Sequence, residues 1–208
     1  MLSKLRHKTV GIAGCGGLGS NCAVALARVG IGKLIIADFD VVDGSNLNRQ
    51  HYFRNQIGQK KVLALKDNIE KISKDIKVII HDIKLTAGNI VSIFKDCDVI
   101  VEAFDDAEMK QMIIETVLLE MPDKYLVSGV GLAGWGDNNS IRTRQEGKLF
   151  ICGDEKNEVS ETNPPLAPRV GIVANMQANQ VLEILLPPLP TASGSLPAGR
   201  QVPEGGEK

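Results

Sequence analysis

The chain has 208 residues, of which 43% are hydrophobic and 24% charged, with a formal net charge of -1. That suits one globular domain with a sizeable core, and the balanced charge gives no global field favouring nucleic acid or an anionic membrane. No apolar run reaches the roughly 20 residues of a membrane helix, and "MLSKLRHKTVGIAGCGG" is too glycine-broken for a signal peptide, so a cytoplasmic protein is expected.

The apolar pattern alternates along the chain. "TVGIAG" (9–14) reads as a buried strand ending in glycine, and "LGSNCAVALARVG" (18–30) as a helix with Gly30 as its C-terminal stop. "KLIIAD" (33–38) is a second strand. "QKKVLALKDNIEKIS" (59–73) is an amphipathic helix with Val62, Leu65, Ile69 and Ile72 on one face. Strands at 76–82, 97–104 and 125–130 then alternate with helices at 87–95 and 106–121, the latter stopped by Pro122. Strands and helices at this spacing predict a Rossmann-like, doubly wound α/β fold with a mostly parallel sheet. After the glycine-rich 132–139, "SIRTR" and "KLFICGD" predict a C-terminal antiparallel pair joined through "QEGK". Residues 155–168 read as a mobile polar loop, 169–186 as a final helix, and the Pro-, Gly- and Ser-rich 187–208 as a disordered tail beyond a single 1–186 domain. The four cysteines, Cys15, Cys22, Cys97 and Cys152, contain no C-x-x-C pair, so reduced thiols and no structural zinc are expected.

"GCGGLG" (14–19) fits G-x-G-x-x-G, with Gly14, Gly16 and Gly19 at the signature positions, after a strand and before a helix. Such glycines let backbone N–H groups approach a phosphate at a helix N-terminus. The bland alternative is that they only permit tight strand–helix packing. Asp38, nineteen residues on, ends the second strand where a carboxylate can accept from ribose hydroxyls. A nicotinamide enzyme is the obvious guess, but hydride transfer calls for a general acid or base. None of His7, His51 and His81 has a catalytic setting.

The stretch "DFDVVDGSNLNRQ" (38–50) offers phosphate chemistry instead. Arg49 can grip phosphate oxygens with two prongs, and Lys61, at the first turn of the next helix, adds a point charge. Asn46, Asn48 and Gln50 offer neutral donors, and Asp105 stands at the carboxyl end of the fourth strand. Two cations, a carboxylate and a phosphate-cradling turn suit a nucleoside triphosphate with magnesium. Against this, Lys61 on a helix could be merely solvated, and Asp105 or Asp106 could only cap the following helix, a role that fits Asp106.

Together "GCGGLGSN", "DFDVVDGSNLNRQ", "IGQKKV" and "EAFDD" resemble the adenylating enzymes of the ThiF/MoeB superfamily, which includes ubiquitin-activating enzymes. The closing "PPLAPRVGIVANMQANQVLEILL" resembles a short ThiF-like branch acting on the ThiS sulfur carrier of thiamine biosynthesis. The resemblance implies that ATP is attacked at its α-phosphate by the C-terminal glycine carboxylate of a Gly-Gly-ended ubiquitin-like carrier. It implies an adenylate site at Gly17 with Gly14, Gly16 and Gly19. Asp38, with Asp40 beside it, would hold the ribose; Asn46, Arg49 and Lys61 would contact phosphates, with Gln50 nearby and Ser45 and Asn48 along the nucleotide; Asp105 would bind Mg2+. It further implies a homodimer and a crossover loop, here 155–168, over the carrier's tail.

Three departures bear on this. The upstream arginine of many members has no counterpart but Arg6, which reads as a surface residue; the two zinc-binding C-x-x-C pairs are absent; and Cys152, in a strand, is a poor sulfur-transfer thiol. Two other readings stay open: adenylation of a carboxylate on modified tRNA, which the missing basic patch disfavours, and a non-catalytic nucleotide-binding partner subunit.

Overall fold

The computed structural model describes residues 2–188, in which the strands assemble into one seven-stranded sheet. In chain order the elements are β1 (Thr9–Ala13), α1 (Gly17–Arg28), β2 (Lys33–Asp38), α2 (Lys61–Ile72), β3 (Lys77–Asp82) and α3 (Ala87–Phe94). Then come β4 (Val99–Glu102), α4 (Ala107–Glu120), β5 (Tyr125–Val130), β6 (Arg142–Glu146), β7 (Leu149–Gly153) and α5 (Ala167–Leu185). The strand order is β3-β2-β1-β4-β5-β7-β6. The chain thus winds outward from β1 in both directions, the switch-point topology that puts ligand sites at the carboxyl edge beside β1 and β4.

Period-two alternation along the strands divides the core between the two faces of the sheet. Val10, Ile12, Leu34, Ile36, Val99 and Val101 turn to one cluster with Leu18, Leu26, Leu65, Ile69 and Val173 from α1, α2 and α5. Ile35, Ala37 and Ile100 turn to the other, with Ile90, Phe94, Ile113 and Val117 from α3 and α4. Both faces are covered, so the inner strands are apolar along most of their length, with Glu102 of β4 and Ser128 of β5 as buried exceptions.

Two details differ from the sequence reading. Only β6 is antiparallel: it pairs with β7, but β7 lies between β6 and β5 and runs parallel to β5, Leu126 facing Leu149 and Val130 facing Gly153. The predicted hairpin therefore extends the parallel sheet by one strand before reversing. Helix α5 also begins two residues before Arg169 and takes in Pro168, which costs nothing in a first turn because its missing N–H would have no intrahelical partner there. Asp106 caps α4, accepting from the Met109 N–H at 2.8 Å. Apart from its first two residues, the predicted tail falls outside the described residues.

The loop between β7 and α5 is clasped at its start. The Asp154 carboxylate accepts from the N–H groups of Lys156 (2.9 Å) and Asn157 (3.0 Å) and pairs with Arg169 of α5. Arg169 is almost fully buried and also donates to Gly136 O at 2.7 Å, so one guanidinium ties α5 to two loops. Burial alone would push the Asp154 carboxyl up. The Asn157 and Lys156 backbone groups, the Asn157 amide and Arg169 outweigh it and hold the carboxyl down at about 2. A carboxyl held below its unfolded value stabilises the fold at every pH above that value, and the contribution disappears as pH falls through the folded one. Asp154→Asn should therefore lower stability by on the order of 3 kcal/mol at neutral pH, because a buried guanidinium loses its charge partner. In urea titrations the gap between variant and parent should narrow as pH falls from about 4 to about 2. A gap that does not change with pH would show that the ion pair contributes nothing to it.

Candidate active site

The site begins with the turn from β1 to α1. Gly14 holds φ at 94°, and its N–H is bound by Ala37 O at 2.9 Å. A Cβ on Gly19 would lie 1.8 Å from Gly14 O, so only glycine lets the first turn of α1 close over the end of β1. Gly16 is the N-cap of α1 and supplies no side-chain cap. The first amides of α1 therefore face outward with the positive end of the helix dipole, which makes them available to an anion.

Asp38 fastens this turn to the following loop. Its Oδ2 accepts from the Cys15 N–H at 2.6 Å and its Oδ1 from the Asp40 N–H at 2.8 Å. Burial raises the Asp38 carboxyl; the Asp40 and Cys15 amides and Lys61 pull against it. From the other side Tyr52 Oη donates to Cys15 O at 2.7 Å. Lys61, nearly buried, reaches Asp40 Oδ2 at 2.8 Å.

Much of the polar loop is spent on its own shape. Asp43 accepts from the Ser45 N–H, and Asn46 Oδ1 accepts from the Asp43 N–H, a reciprocal cap on the short 3-10 turn Gly44–Asn48. Arg49 Nη1 donates to Asn48 Oδ1 at 2.8 Å and to Ser45 O at 3.3 Å. Asn21 of α1 donates to Arg49 O at 2.9 Å and holds the arginine backbone against the helix.

A cavity of about 1160 Å³ opens over this assembly. Gly16, Gly17, Asp40, Arg49, Gln50, Lys61 and Asp105 all line it. Gly14 and Gly19 shape the turn beneath, Asp38 stands behind it, and Ser45, Asn46 and Asn48 belong to the supporting loop. The far end is walled by Val130 at the end of β5 with Gly131 and Leu132 after it, by 155–159 and by Ile114 and Glu115 of α4. The loop foreseen as a cover thus forms a wall of the same cavity.

Besides Lys156 of the crossover segment, sequence reasoning missed another cation of this cavity, Lys110. Lys110 donates to Glu102 Oε2 at 2.5 Å and to Gly129 O at 3.0 Å. Glu102 is fully buried and also accepts from Ser128 Oγ (2.6 Å) and the Phe104 N–H (2.7 Å), so it fixes the backbone just ahead of Asp105. One signal was present: "DVIVEAF" places a carboxylate in an otherwise apolar strand, and a buried acid requires partners. The four cysteines are free and buried. Burial raises the Cys152 thiol despite a contact from Thr143, which disfavours the reactive thiolate. Among the described residues no group of three or more His, Cys, Asp or Glu is arranged to hold a metal, and no helix is long and apolar enough to cross a membrane.

An uncapped helix N-terminus and the cationic side chains beside it stand at the carboxyl edge of a doubly wound sheet, the edge where open α/β folds bind their ligands. Family comparison places it: a model described as the ThiF family matches residues 1–198, and the chain belongs to that family. It is 31% identical over 200 residues to the adenylyltransferase and sulfurtransferase MOCS3 of Caenorhabditis briggsae, covering 92% of this chain and 49% of that relative. It is 40% identical over 91 residues to ubiquitin-like modifier-activating enzyme 5 of the same species, covering 44% of this chain and 21% of that one. The chain thus spans about half the length, or less, of these curated relatives. Among solved structures, the E. coli tRNA N6-threonylcarbamoyladenosine dehydratase TcdA in complex with ATP shares the fold with a TM-score of 0.80 at 20% identity, over 88% of each chain. E. coli MccB with ATP shares it with a TM-score of 0.65 at 22% identity, over 88% of this chain and 57% of that one.

Glu102→Ala should lower stability by about 3 kcal/mol or more, because Lys110 and Ser128 lose their shared partner inside the wall. Glu102→Leu combined with Lys110→Met, which removes both charges, should recover most of that loss in urea denaturation. A neutral Glu102→Ala would mean that the network does not hold the wall together.

Proposed function

We propose that this chain is an ATP-dependent adenylyltransferase that activates the C-terminal glycine carboxylate of a Gly-Gly-ended ubiquitin-like sulfur carrier, of the ThiS type in thiamine biosynthesis. The observation that carries this reading is the convergence of Arg49, Lys61, Asp105 and the uncapped start of α1 on one cavity. The relatives named as adenylyltransferase and as ubiquitin-like modifier-activating enzyme support it.

In this reading the triphosphate lies over the turn at Gly16 and Gly17, with Asp38 and Asp40 on the ribose side and Asn46, Asn48 and Ser45 bracing the loop. A carboxylate oxygen of the carrier attacks the α-phosphorus, a P–O bond to the β-phosphate breaks, and pyrophosphate leaves with the electron pair. The nucleophile arrives ionised, so no histidine base is required. Charge gathers on the phosphoryl oxygens in the transition state. Arg49, Lys61 and the α1 amides, already held in place, stabilise it without reorganising. Magnesium bound to a nucleotide needs only one or two protein carboxylates. Asp105, exposed at the rim while Asp106 is committed to its cap, fits that role, and the ion would neutralise phosphate charge. We further propose a homodimer acting in the cytoplasm.

The TcdA likeness over 88% of both chains favours a second reading, in which the activated carboxylate sits on a modified tRNA. ATP–pyrophosphate exchange separates the two: dependence on a Gly-Gly-ended carrier supports the first, and dependence on tRNA the second. Nucleotide binding without exchange under any acceptor would mark a non-catalytic subunit. Arg49→Ala should slow exchange by about 100-fold, the loss of roughly 3 kcal/mol of transition-state stabilisation. Asp105→Ala should abolish exchange while leaving the thermal transition in place; full activity would refute the metal assignment.

A further inference from the structure

Gln50 has a side chain with no role in the fold. Its backbone is used, since its N–H donates to Asn46 O at 2.9 Å and its carbonyl accepts from the Tyr52 N–H at 2.9 Å. The carboxamide lines the cavity at 9% exposure, with Nε2 3.9 Å from where a Cβ on Gly16 would stand. Its Oε1 is buried without any hydrogen-bond partner. None of the cations that line the same cavity, Arg49, Lys61, Lys110 and Lys156, donates to it. A buried acceptor with nothing to accept from is uncommon and points to a missing partner.

The missing partner must be a donor, and phosphate oxygens and an ionised carboxylate have none to give. The adenine amino group lies at the far end of the nucleoside from the α-phosphate, so the proposed reaction leaves one ligand donor unassigned beside the reacting centre. Ribose hydroxyls are assigned to the Asp38 side, and phosphates to Arg49, Lys61 and the α1 amides. The acceptor's last peptide N–H, on the α-carbon of the attacking carboxylate, has no partner. When the carboxylate stands about 3 Å from the α-phosphorus, that N–H lies two bonds from the reacting carbon, beside the turn that Gln50 touches.

Resting on the adenylation reading, we infer that Gln50 is a specificity residue for the acceptor rather than for ATP: its Oε1 accepts the last peptide N–H and selects carboxylates that bear an N-acylamino group on the α-carbon. A peptide end meets that requirement. A carboxylate lacking the N–H leaves Oε1 unsatisfied, which is how a buried hydrogen-bonding group rejects an analogue.

The test uses inert mimics of the acyl-adenylate and needs no identified carrier. One is 5′-O-sulfamoyladenosine acylated with N-acetylglycine. The other carries acetoxyacetic acid, in which ester oxygen replaces the N–H. Dissociation constants are measured by calorimetry, with AMP as reference. The parent protein should bind the amide about tenfold more tightly than the ester, the worth of about one satisfied hydrogen bond. In Gln50→Met the ratio should fall to within about twofold. Gln50→Glu keeps an acceptor oxygen and should keep the preference, which controls for damage to the fold. Because the readout is a ratio, any general loss of affinity cancels. Should both mimics bind more tightly than AMP and their ratio be the same in parent and Gln50→Met, the assignment of Gln50 is overturned while adenylation stands. Should neither mimic bind more tightly than AMP, the acyl-adenylate reading falls and this inference with it.

Discussion

Asp38 ends β2 with a carboxylate that accepts from two amides, Cys15 in the glycine turn and Asp40 in the loop beyond. Two chain segments far apart in sequence are thereby locked to one side chain. The lock is tightened by Tyr52 on Cys15 O and by Lys61, whose backbone N–H donates to Asp40 O at 2.9 Å while its ammonium pairs with the Asp40 carboxylate. Without it, the glycine turn would be a flexible connection over an exposed helix end, and an anion arriving there would have to order it first. With it, the amide dipoles and the Lys61 charge are aimed before any ligand arrives, the condition under which fixed charges do most for a developing anion.

The opposite wall is built on a different principle. Glu102 is fully buried and collects an ammonium, a hydroxyl and a backbone N–H. Burying such a set costs desolvation that the pairing only offsets, so the network adds little to net stability. It fixes instead the directions of the β4 exit, of α4 and of Gly129. Gln177 of α5 adds to the same junction, donating to Glu102 O and Val127 O. Arg169 and Asp154 repeat the device where α5 meets the crossover segment. Each polar cluster sits where a loop leaves the sheet toward the cavity, where apolar packing alone would leave the direction of the chain undefined.

What the sequence made legible follows from which forces act locally. Strand and helix alternation, the glycine turn and the Asp106 cap are written in short windows, because periodicity, φ > 0 and capping are short-range demands. The doubly wound order followed from handedness rules that need no contact information. The position of β7 was not legible, since a hairpin signal specifies that two strands pair but not which of them takes the sheet edge. Lys110 was missed because α4 is apolar on several sides, with Ile113 and Val117 buried and Leu118 and Leu119 exposed, so no clean stripe marked its cavity-facing side. The Asp154–Arg169 clasp joins a loop to a helix through a long-range pairing that no window contains.

The density of hydrogen-bonding groups in "DFDVVDGSNLNRQ" now has a physical account. Asp38, Asp43, Asn46 and Asn48 all serve the loop or its junction with the turn. A segment this polar would otherwise sample many conformations at the mouth of the cavity. Each internal bond removes some of that freedom during folding, when cooperative packing offsets the cost, rather than on ligand binding, when affinity and rate would bear it. The surplus beyond what a turn requires is therefore what makes three neighbouring side chains, Arg49, Gln50 and Lys61, fixed features of the cavity. Arg49 shows the division within one residue. One terminal nitrogen is held by Ser45 and Asn48, while the guanidinium carries five N–H donors in all, so the same contact that restrains it leaves a fork for a doubly charged oxyanion.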